Sequence, residues 1–294
     1  MTGFLKGSAT ALVTPFQGSG VNYEVLKKLV AFQLENGTDA LVVLGTTGEP
    51  NTMREEEKEE TVLTAIKTAA KRCKVIVGTG SNCTEKAVRD SLRAEELGAD
   101  GVLCVTPYYN KCTQKGIVAY YREIANSVKI PVIVYNVPAR TGVNVLPETM
   151  AEIAEIPNIA GIKEASGSMA QVMETARLIR GKCDLYSGED ALNLPILAAG
   201  GSAVISVVAN LLPKEIKKLT TLMLEGSLQE AIALSDRLLP VVKACFLEVN
   251  PIPVKAGMRL IGFDAGAPRA PLTSCEEQTN LQLKTALAAF GVTK

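Results

Sequence analysis

One lysine follows a run of residues of the kind that proteins bury, and this position favours amine chemistry. Lys163 comes directly after the apolar stretch 159–162, so we expect its side chain to lie inside the protein rather than in bulk water. Burial disfavours a charged ammonium group, and a neutral amine attacks carbonyl carbon to form a Schiff base. The alternative is a structural lysine paired with Glu164 or with another carboxylate, and the run alone leaves both interpretations open.

The groups that could move protons for such an amine are phenols and hydroxyls. The sequence contains no histidine, which excludes imidazole as a general base or a metal ligand. Tyr135 ends one apolar run, Tyr109 follows another, and Thr46 and Thr47 lie in a turn flanked by glycines. Any of these hydroxyls could carry a proton, and the two threonines could also hold a carboxylate. The alternatives are amphipathic packing for the tyrosines and an ordinary capping turn for the threonines.

Charged side chains complete the candidate set. Arg140 follows a loop constrained by proline and could bind a carboxylate through two hydrogen bonds, although a solvated loop arginine is the alternative. The acidic segment 55–60 is interpreted as a solvated helix start, favoured by the helix dipole, rather than as a metal site. No acidic cluster typical of a Mg²⁺-dependent aldolase follows the apolar runs. Together, the amine, phenols, hydroxyls and guanidinium favour an enzyme that forms a Schiff base with a keto acid.

Eight short apolar runs recur along the chain, and the candidate residues lie at the ends of these runs or shortly after them. The runs are Ala9–Val13, Ala40–Leu44, Lys74–Val77, Gly101–Val105, Pro131–Tyr135, Ile159–Lys163, Asp184–Tyr186 and Ala203–Val207. Each is apolar on both faces, which is typical of parallel strands between a core and covering helices, and amphipathic helical patterns separate them. Eight such units predict an α/β protein, a closed (β/α)₈ TIM barrel whose active site lies where the carboxyl ends of the strands meet. An open doubly wound sheet is the rival, but Thr14-Pro15-Phe16 after the first run is not a glycine-rich nucleotide turn.

The strand pattern stops after Gly226. Residues 228–242 form a long apolar helical stripe, a second helix is predicted after Pro251 and Pro253, and a third over Gln278–Phe290. We therefore predict a catalytic barrel over residues 1–226 and a helical appendix over residues 227–294.

Composition excludes several other classes of protein. The 294 residues are 47% apolar and carry 31 Lys and Arg against 31 Asp and Glu, so a general basic surface for nucleic acid or membrane is not expected. Seven scattered cysteines without a C-x-x-C pair are poor candidates for disulfides or zinc. The sequence shows neither a secretory signal nor an apolar run of about 18 residues, so a cytoplasmic protein is expected.

Four motifs at the ends of the runs carry a resemblance to a known family. They are Gly45–Glu49, Pro107–Lys111, Tyr135–Pro138 and Gly161–Ala165, and the likeness extends from Ala11–Pro15 to Asn250–Lys255. In order and spacing these motifs resemble the dihydrodipicolinate synthase family, pyruvate-dependent lyases of the N-acetylneuraminate lyase superfamily. The resemblance implies condensation of pyruvate with L-aspartate 4-semialdehyde, the first committed step of lysine and diaminopimelate biosynthesis.

The resemblance also implies a role for each candidate residue. Lys163 would form the imine with pyruvate, with no other cofactor and no metal, and Thr46 and Thr47 would hold the pyruvate carboxylate. Tyr135, Thr47 and Tyr109 would form a proton relay. In this family the residue at the position of Tyr109 is contributed across a subunit interface, which implies a dimer as the minimum active unit and a homotetramer, a dimer of dimers, as the common form.

Three further positions are assigned by the same resemblance. Arg140 would bind the carboxylate of aspartate 4-semialdehyde, and Gly188 and Ile205 would line the pyruvate site with their backbones. A sister pyruvate aldolase, such as N-acetylneuraminate lyase or a keto-deoxy sugar-acid aldolase, is the alternative. Sister enzymes usually have Ser-Thr where this chain has Thr46-Thr47, and sugar-acid lyases tend to lack an arginine at position 140. A non-catalytic paralogue would be expected to have lost one of the key residues, and all are present; one small departure from the family pattern is Ala139, where Gly or Ser is frequent.

A larger departure concerns regulation by lysine. Lysine-sensitive relatives have an effector pocket at a subunit interface, and at matching positions this chain has Asn51, Glu55, Lys58, Asn82 and Lys86. Sensitive enzymes often carry His at the positions of Glu55 and Lys58 and an acid at that of Lys86. Because a lysine side chain repels the ammonium groups of free lysine, we predict weak or absent feedback inhibition.

Overall fold

The computed structural model describes residues 2–293, and eight parallel strands in it close into a barrel. The described residues form ten strands in all: β1 Gly7–Ala11, β2 Phe16–Gln17, β3 Gly20–Val21, β4 Ala40–Val43, β5 Lys74–Gly78, β6 Gly101–Val105, β7 Val132–Asn136, β8 Ile159–Glu164, β9 Asp184–Ser187 and β10 Ala203–Ser206. Barrel strands neighbour one another in the order β1-β10-β9-β8-β7-β6-β5-β4, and β2 and β3 form a separate hairpin. The predicted (β/α)₈ fold is confirmed.

Helices follow the barrel strands and cover the outside of the barrel. The helices are α1 Tyr23–Glu35, α2 Glu55–Ala69, α3 Thr84–Glu96, α4 Gln114–Ser127, α5 Pro138–Thr141, α6 Pro147–Ile153, α7 Met169–Ile179, α8 Asn193–Ala198, α9 Pro213–Leu224, α10 Leu228–Cys245, α11 Ile252–Leu260 and α12 Glu277–Ala288. Their starts follow local chemistry: the Ser168 hydroxyl accepts the backbone N–H of Gln171 at 3.3 Å and caps α7. Because both strand faces are covered, the barrel strands are almost entirely buried.

The first strand begins two residues earlier than the apolar run predicts. The run suggested 9–13, whereas β1 spans Gly7–Ala11 and pairs with β10 from Gly7 onward. The Leu12 backbone N–H still donates to the Val42 carbonyl of β4 at 3.0 Å, but the chain then leaves the ladder, because the backbone N–H of Val13 donates to the side chain of Asn210 at 3.1 Å. Hydrophobicity therefore continued past the last residue that pairs as a strand.

The appendix forms the three predicted helices and is joined to the barrel by buried charges. Helix α10 packs against α9 and α12. From α11, Lys255 Nζ lies 2.8 Å from Glu49 Oε1, and both side chains are buried. Arg269, between α11 and α12, binds Glu57 at the start of α2. The interpretation of 55–60 as a solvated helix start is thus wrong for Glu57, whose side chain is buried against an arginine from the appendix.

Candidate active site

A cavity of about 660 Å³ opens at the carboxyl ends of the barrel strands. The strand-end residues lie there because parallel strands of a closed barrel all point their carboxyl ends to one face. Of the predicted site residues, the cavity is lined by Thr46, Thr47, Tyr135, Arg140, Lys163 and Gly188. Apolar side chains form much of the remaining wall, including Ala11, Val42, Leu103, Val207 and Val242. The structure thus brings an amine, a phenol, two hydroxyls and a guanidinium to one largely apolar chamber.

The amine and one phenol are neighbours because their strands are in register. Tyr135 on β7 pairs with Lys163 on β8, and Lys163 Nζ lies 4.0 Å from the centre of the tyrosine ring. Lys163 is only 6% exposed. A Cβ at position 188 would lie 2.9 Å from Lys163 Cγ and Cε, so glycine there makes room for the lysine chain. The aromatic ring and the glycine together position the amine.

The carboxylate that follows Lys163 belongs to a different network. Successive residues of a strand face opposite sides, and Glu164 is enclosed outside the cavity wall. Its oxygens accept hydrogen bonds from the Ser166 backbone N–H at 2.7 Å and from Asn136 Nδ2 at 3.2 and 3.3 Å. Burial raises the pKa of Glu164. The structure therefore does not support the alternative in which Glu164 is the ionic partner of Lys163.

A second carboxylate lines the cavity itself. Glu189 follows Gly188 at the end of β9 and is partly buried. Burial, and then the negative charges of Asp190 and Glu164, raise the pKa of Glu189. The cavity therefore combines basic groups with one acidic group whose ionised form is disfavoured by its surroundings.

The two threonines sit in a short 3₁₀ turn, Thr46–Gly48, which follows β4 after two intervening residues. Thr47 is buried, and Thr46 is partly exposed to the cavity. The turn is held from below, since the Thr14 hydroxyl donates to the Gly48 carbonyl at 2.7 Å. At the end of the turn Glu49 adopts a left-handed conformation with φ of 55°. Fixed backbone and two hydroxyls are suited to holding a small anion.

Arg140 lies in α5, one short turn beyond the end of β7. Its side chain is solvent-accessible, lines the cavity, and donates from Nη2 to the backbone carbonyl of Asn250 at 3.3 Å. The guanidinium thus stands at the rim of the chamber, with donors left for an anionic ligand.

Two predicted positions lie outside the cavity lining. Tyr109 is 89% exposed on the loop after β6, with φ of 70°. Ile205 is a buried residue of β10 that pairs with Ala9 of β1. Within one chain, the predicted relay therefore brings Tyr135 and Thr47 to the cavity but not Tyr109.

One residue of the site was missed by reasoning from strand ends. Asn250 lies between α10 and α11, lines the cavity, and donates from Nδ2 to Thr47 Oγ1 at 3.0 Å. In the sequence, Asn250 begins the segment Asn250–Lys255, which contributes to the family resemblance but to which no functional role was assigned. Because the barrel rule considers strand ends alone, it does not reach a residue of the appendix.

A second cavity of about 360 Å³ adjoins the first and is lined by three of the five positions considered for feedback regulation. It is lined by Asn51, Lys58, Lys86 and Asp90, among others. Lys86 Nζ lies 2.6 Å from Asp90 Oδ2, and Lys58 Nζ lies 2.9 Å from Glu55 Oε1. The ammonium groups in this cavity are thus held by neighbouring carboxylates of the same chain.

Within residues 2–293 no group of three or more His, Cys, Asp or Glu side chains has an arrangement that could hold a metal ion. No helix in the described part of the chain is both long and apolar enough to cross a membrane.

Comparison with known proteins gives one consistent result. The model of the dihydrodipicolinate synthetase family matches residues 4–290. A 4-hydroxy-tetrahydrodipicolinate synthase from Caldicellulosiruptor bescii is 52% identical over 288 residues, covering 98% of this chain and 97% of that protein. A solved dihydrodipicolinate synthase from Thermotoga maritima superposes with a TM-score of 0.97 at 44% identity, covering 99% of this chain and 100% of that one. A structure described as a monomeric dihydrodipicolinate synthase variant also gives 0.97 at 44% identity, covering 98% of each chain.

Proposed function

Since this chain belongs to the dihydrodipicolinate synthetase family, we propose that it condenses pyruvate with L-aspartate 4-semialdehyde through an imine on Lys163. It is an enzyme, a lyase of the Schiff-base-forming type. The observation that carries the proposal is the position of Lys163, a buried amine beside Tyr135 in a largely apolar chamber.

The first half of the reaction joins pyruvate to the enzyme. The Lys163 amine adds to the keto carbon of pyruvate, and both amine protons leave with the keto oxygen as water. Thr46 holds the pyruvate carboxylate through its hydroxyl and Thr47 holds it through its backbone N–H, which leaves the Thr47 hydroxyl proton for the relay. Tyr135, Thr47 and Tyr109 carry the protons from nitrogen to the departing oxygen. The covalent imine supplies the electron sink, so the proposal requires no further cofactor.

The second half makes the carbon–carbon bond. Transfer of a proton from the methyl carbon to the imine nitrogen converts the imine to an enamine, whose carbon attacks the aldehyde, and the aldehyde oxygen takes up a proton. Arg140, at the rim of the cavity, binds the carboxylate of the aldehyde substrate. The amine of that substrate then attacks the imine carbon, closes the ring and releases Lys163 as a free amine. Gly188, which lines the cavity, contributes backbone to the pyruvate subsite, and the same role is proposed for Ile205, which lies outside that lining, on the family resemblance alone.

The exposed position of Tyr109 bears on assembly. A relay tyrosine that is 89% exposed in one chain can act if it enters the cavity of a second chain. We therefore propose that a dimer is the minimum active unit and that two dimers form a homotetramer. One of the similar solved structures is described as a monomeric variant, so the oligomeric state of this chain should be measured, for example by analytical ultracentrifugation.

The organisation of the chain and its place in the cell complete the proposal. We propose that residues 1–226 form the catalytic barrel and that residues 227–294 complete the cavity, to which α10 contributes Val242 and Lys243. We also propose a cytoplasmic location, small-molecule substrates, and no nucleic-acid or membrane partner. Separation of the cytoplasmic fraction from membranes in the producing cell tests the location.

The test of the imine uses pyruvate and borohydride. Reduction of the enzyme in the presence of pyruvate should add one reduced pyruvate to the mass, on the peptide containing Lys163. Lys163→Ala should abolish the adduct, whereas Lys255→Arg, a change at another buried lysine, should retain it. An unchanged mass in the unmodified enzyme would refute the Schiff base. Comparing aspartate 4-semialdehyde with N-acetylmannosamine and sugar-acid aldehydes then separates the synthase from a sister aldolase.

A further inference from the structure

The loop between α10 and α11 contributes one buried residue that contacts two proposed site residues at once, one through its side chain and one through its backbone. Asn250 is 6% exposed and lines the cavity. Its Nδ2 lies 3.0 Å from Thr47 Oγ1, and its backbone carbonyl lies 3.3 Å from Arg140 Nη2. The residue therefore connects the turn after β4 with the helix after β7, across the mouth of the barrel.

The hydrogen bond to Thr47 has a direction. An amide N–H can only donate, so Thr47 Oγ1 accepts from Asn250 and its own hydroxyl proton must be used elsewhere. Asn250 Oδ1, which could otherwise take that proton, has no hydrogen-bond partner within residues 2–293. The arrangement therefore leaves the Thr47 proton available to the reacting groups in the cavity.

We propose that Asn250 is a positioning residue that fixes Thr47 as an acceptor on one side and a proton donor toward the cavity on the other. The inference rests on the proposed function, because it assumes that Thr47 takes part in a proton relay. Asn250 does not itself exchange protons with substrate. It acts through Thr47 with its side chain, while its backbone carbonyl separately holds Arg140.

Asn250→Asp reverses the direction of this hydrogen bond at nearly constant shape. An ionised aspartate cannot donate, so it would accept the Thr47 proton and withdraw it from the relay. We expect kcat to fall roughly tenfold to a hundredfold at neutral pH. The KM for the aldehyde should stay within about threefold of the unmodified value, because the carbonyl that contacts Arg140 is unchanged.

The pH profile separates positioning from a general structural effect. A protonated aspartate regains an O–H donor, so the kcat of Asn250→Asp relative to the unmodified enzyme should rise as pH falls. Asn250→Ala, which has neither donor nor acceptor, should lose activity with a profile parallel to that of the unmodified enzyme. Asn36→Asp is the matched control, since Asn36 also donates from its amide, to the Phe32 carbonyl at the end of α1, away from the cavity. It should change neither kcat nor the pH profile.

A double-mutant cycle tests whether Asn250 acts through Thr47. Asn250→Ala should slow the enzyme roughly tenfold or more, but by less than about threefold in the Thr47→Val background. Equal losses in both backgrounds would overturn the inference, as would an Asn250→Asp profile parallel to that of the unmodified enzyme. The cycle decides the question even if Asn250→Asp does not fold. Borohydride trapping of pyruvate on the unmodified enzyme is scored first, because its failure would refute the proposed function rather than the role of Asn250.

Discussion

An ion pair between the barrel and the appendix allows a quantitative prediction about stability. Glu57, at the start of α2, accepts two hydrogen bonds from Arg269, at 2.6 and 2.8 Å. The backbone N–H of Arg54 adds a third at 2.9 Å. Arg269 also stacks on the Phe16 ring, 4.1 Å from its centre. The bidentate arginine is the main reason that the pKa of Glu57 is lowered from 4.5 to about 2.

Glu57→Gln removes the charge while keeping the size of the side chain. A pKa of about 2 in the folded state, against 4.5 for an unperturbed carboxyl, corresponds to about 3 kcal/mol at pH 7. Because the folded pKa is the lower one, this stabilisation is complete above about pH 4.5 and is lost as pH falls toward 2. The variant should therefore be about 3 kcal/mol less stable at pH 7, and the deficit should shrink by more than half at about pH 3.

Urea unfolding followed by circular dichroism at both pH values measures the effect, at one fixed protein concentration because association also stabilises folded chains. Glu59→Gln is the matched control. Glu59 lies on the same helix and binds Arg93 at 2.8 Å, but that pair is exposed and should contribute little at either pH. A Glu57→Gln deficit that is equal at pH 7 and pH 3, or no larger than that of the control, would refute the reasoning.

Three further predictions follow from other contacts. Lys255→Met should lower stability by about 3–5 kcal/mol by leaving buried Glu49 without its cation, and adding Glu49→Gln should restore most of the loss in thermal or urea unfolding. Mixing inactive Tyr109→Phe and Lys163→Ala chains should restore about a quarter of the activity, since half of the dimers would be mixed and each would hold one complete site. Free lysine below millimolar concentration should not half-inhibit the enzyme, because Lys86 places a cation where a binding acid would stand and the neighbouring carboxylate of Asp90 is already paired with it, and Lys86→Glu should increase sensitivity.

Each of these three predictions has a result that would contradict it. If the Lys255→Met, Glu49→Gln double variant is no more stable than Lys255→Met alone, the unpaired charge of Glu49 is not what destabilises the single variant. Mixed chains without recovered activity, in a preparation shown to exchange subunits, would refute transfer of Tyr109 between chains. Half-inhibition by sub-millimolar lysine would refute the account of feedback.

The barrel and most of its cavity could be predicted because their signals are local. A parallel strand buried on both faces is a short apolar run, and eight such runs with helices between them define the closed barrel. The rule that active sites lie at carboxyl ends of strands then predicted that Lys163, Tyr135 and Thr47 would meet, and they do. The observed strand bounds differ from the predicted ones where the apolar run and the hydrogen-bonded strand do not end at the same residue, as at the end of β1.

Glu57 shows why the pattern of charges in the sequence could not predict which of these glutamates is buried. It sits among five glutamates within six residues, the usual composition of a solvated helix start. Its partner Arg269 lies 212 positions away in a segment without periodic pattern. The pairing of an acid with a distant base is decided by how the appendix docks, and nothing in the local sequence distinguishes Glu57 from Glu56.

The role of Asn250 in the active site could not be predicted from the local sequence either, for the same reason as the pairing of Glu57. Residues that react are detectable because their types are few and because the fold rule specifies where to look. A residue that orients them needs only one donor at the correct point, and Asn250 reaches Thr47 from 203 positions away. Loops between helices of an appendix often contain asparagine and proline for turn formation alone, so composition does not distinguish a positioning asparagine from a turn residue. The distinction lies in the partner of the hydrogen bond: a turn asparagine bonds to nearby backbone, as Asn36 does to the Phe32 carbonyl, whereas Asn250 donates to a site hydroxyl and leaves its acceptor unused. The hydrogen-bond partner, rather than residue type, is therefore what separates the residues that orient this site from those that only shape its loops.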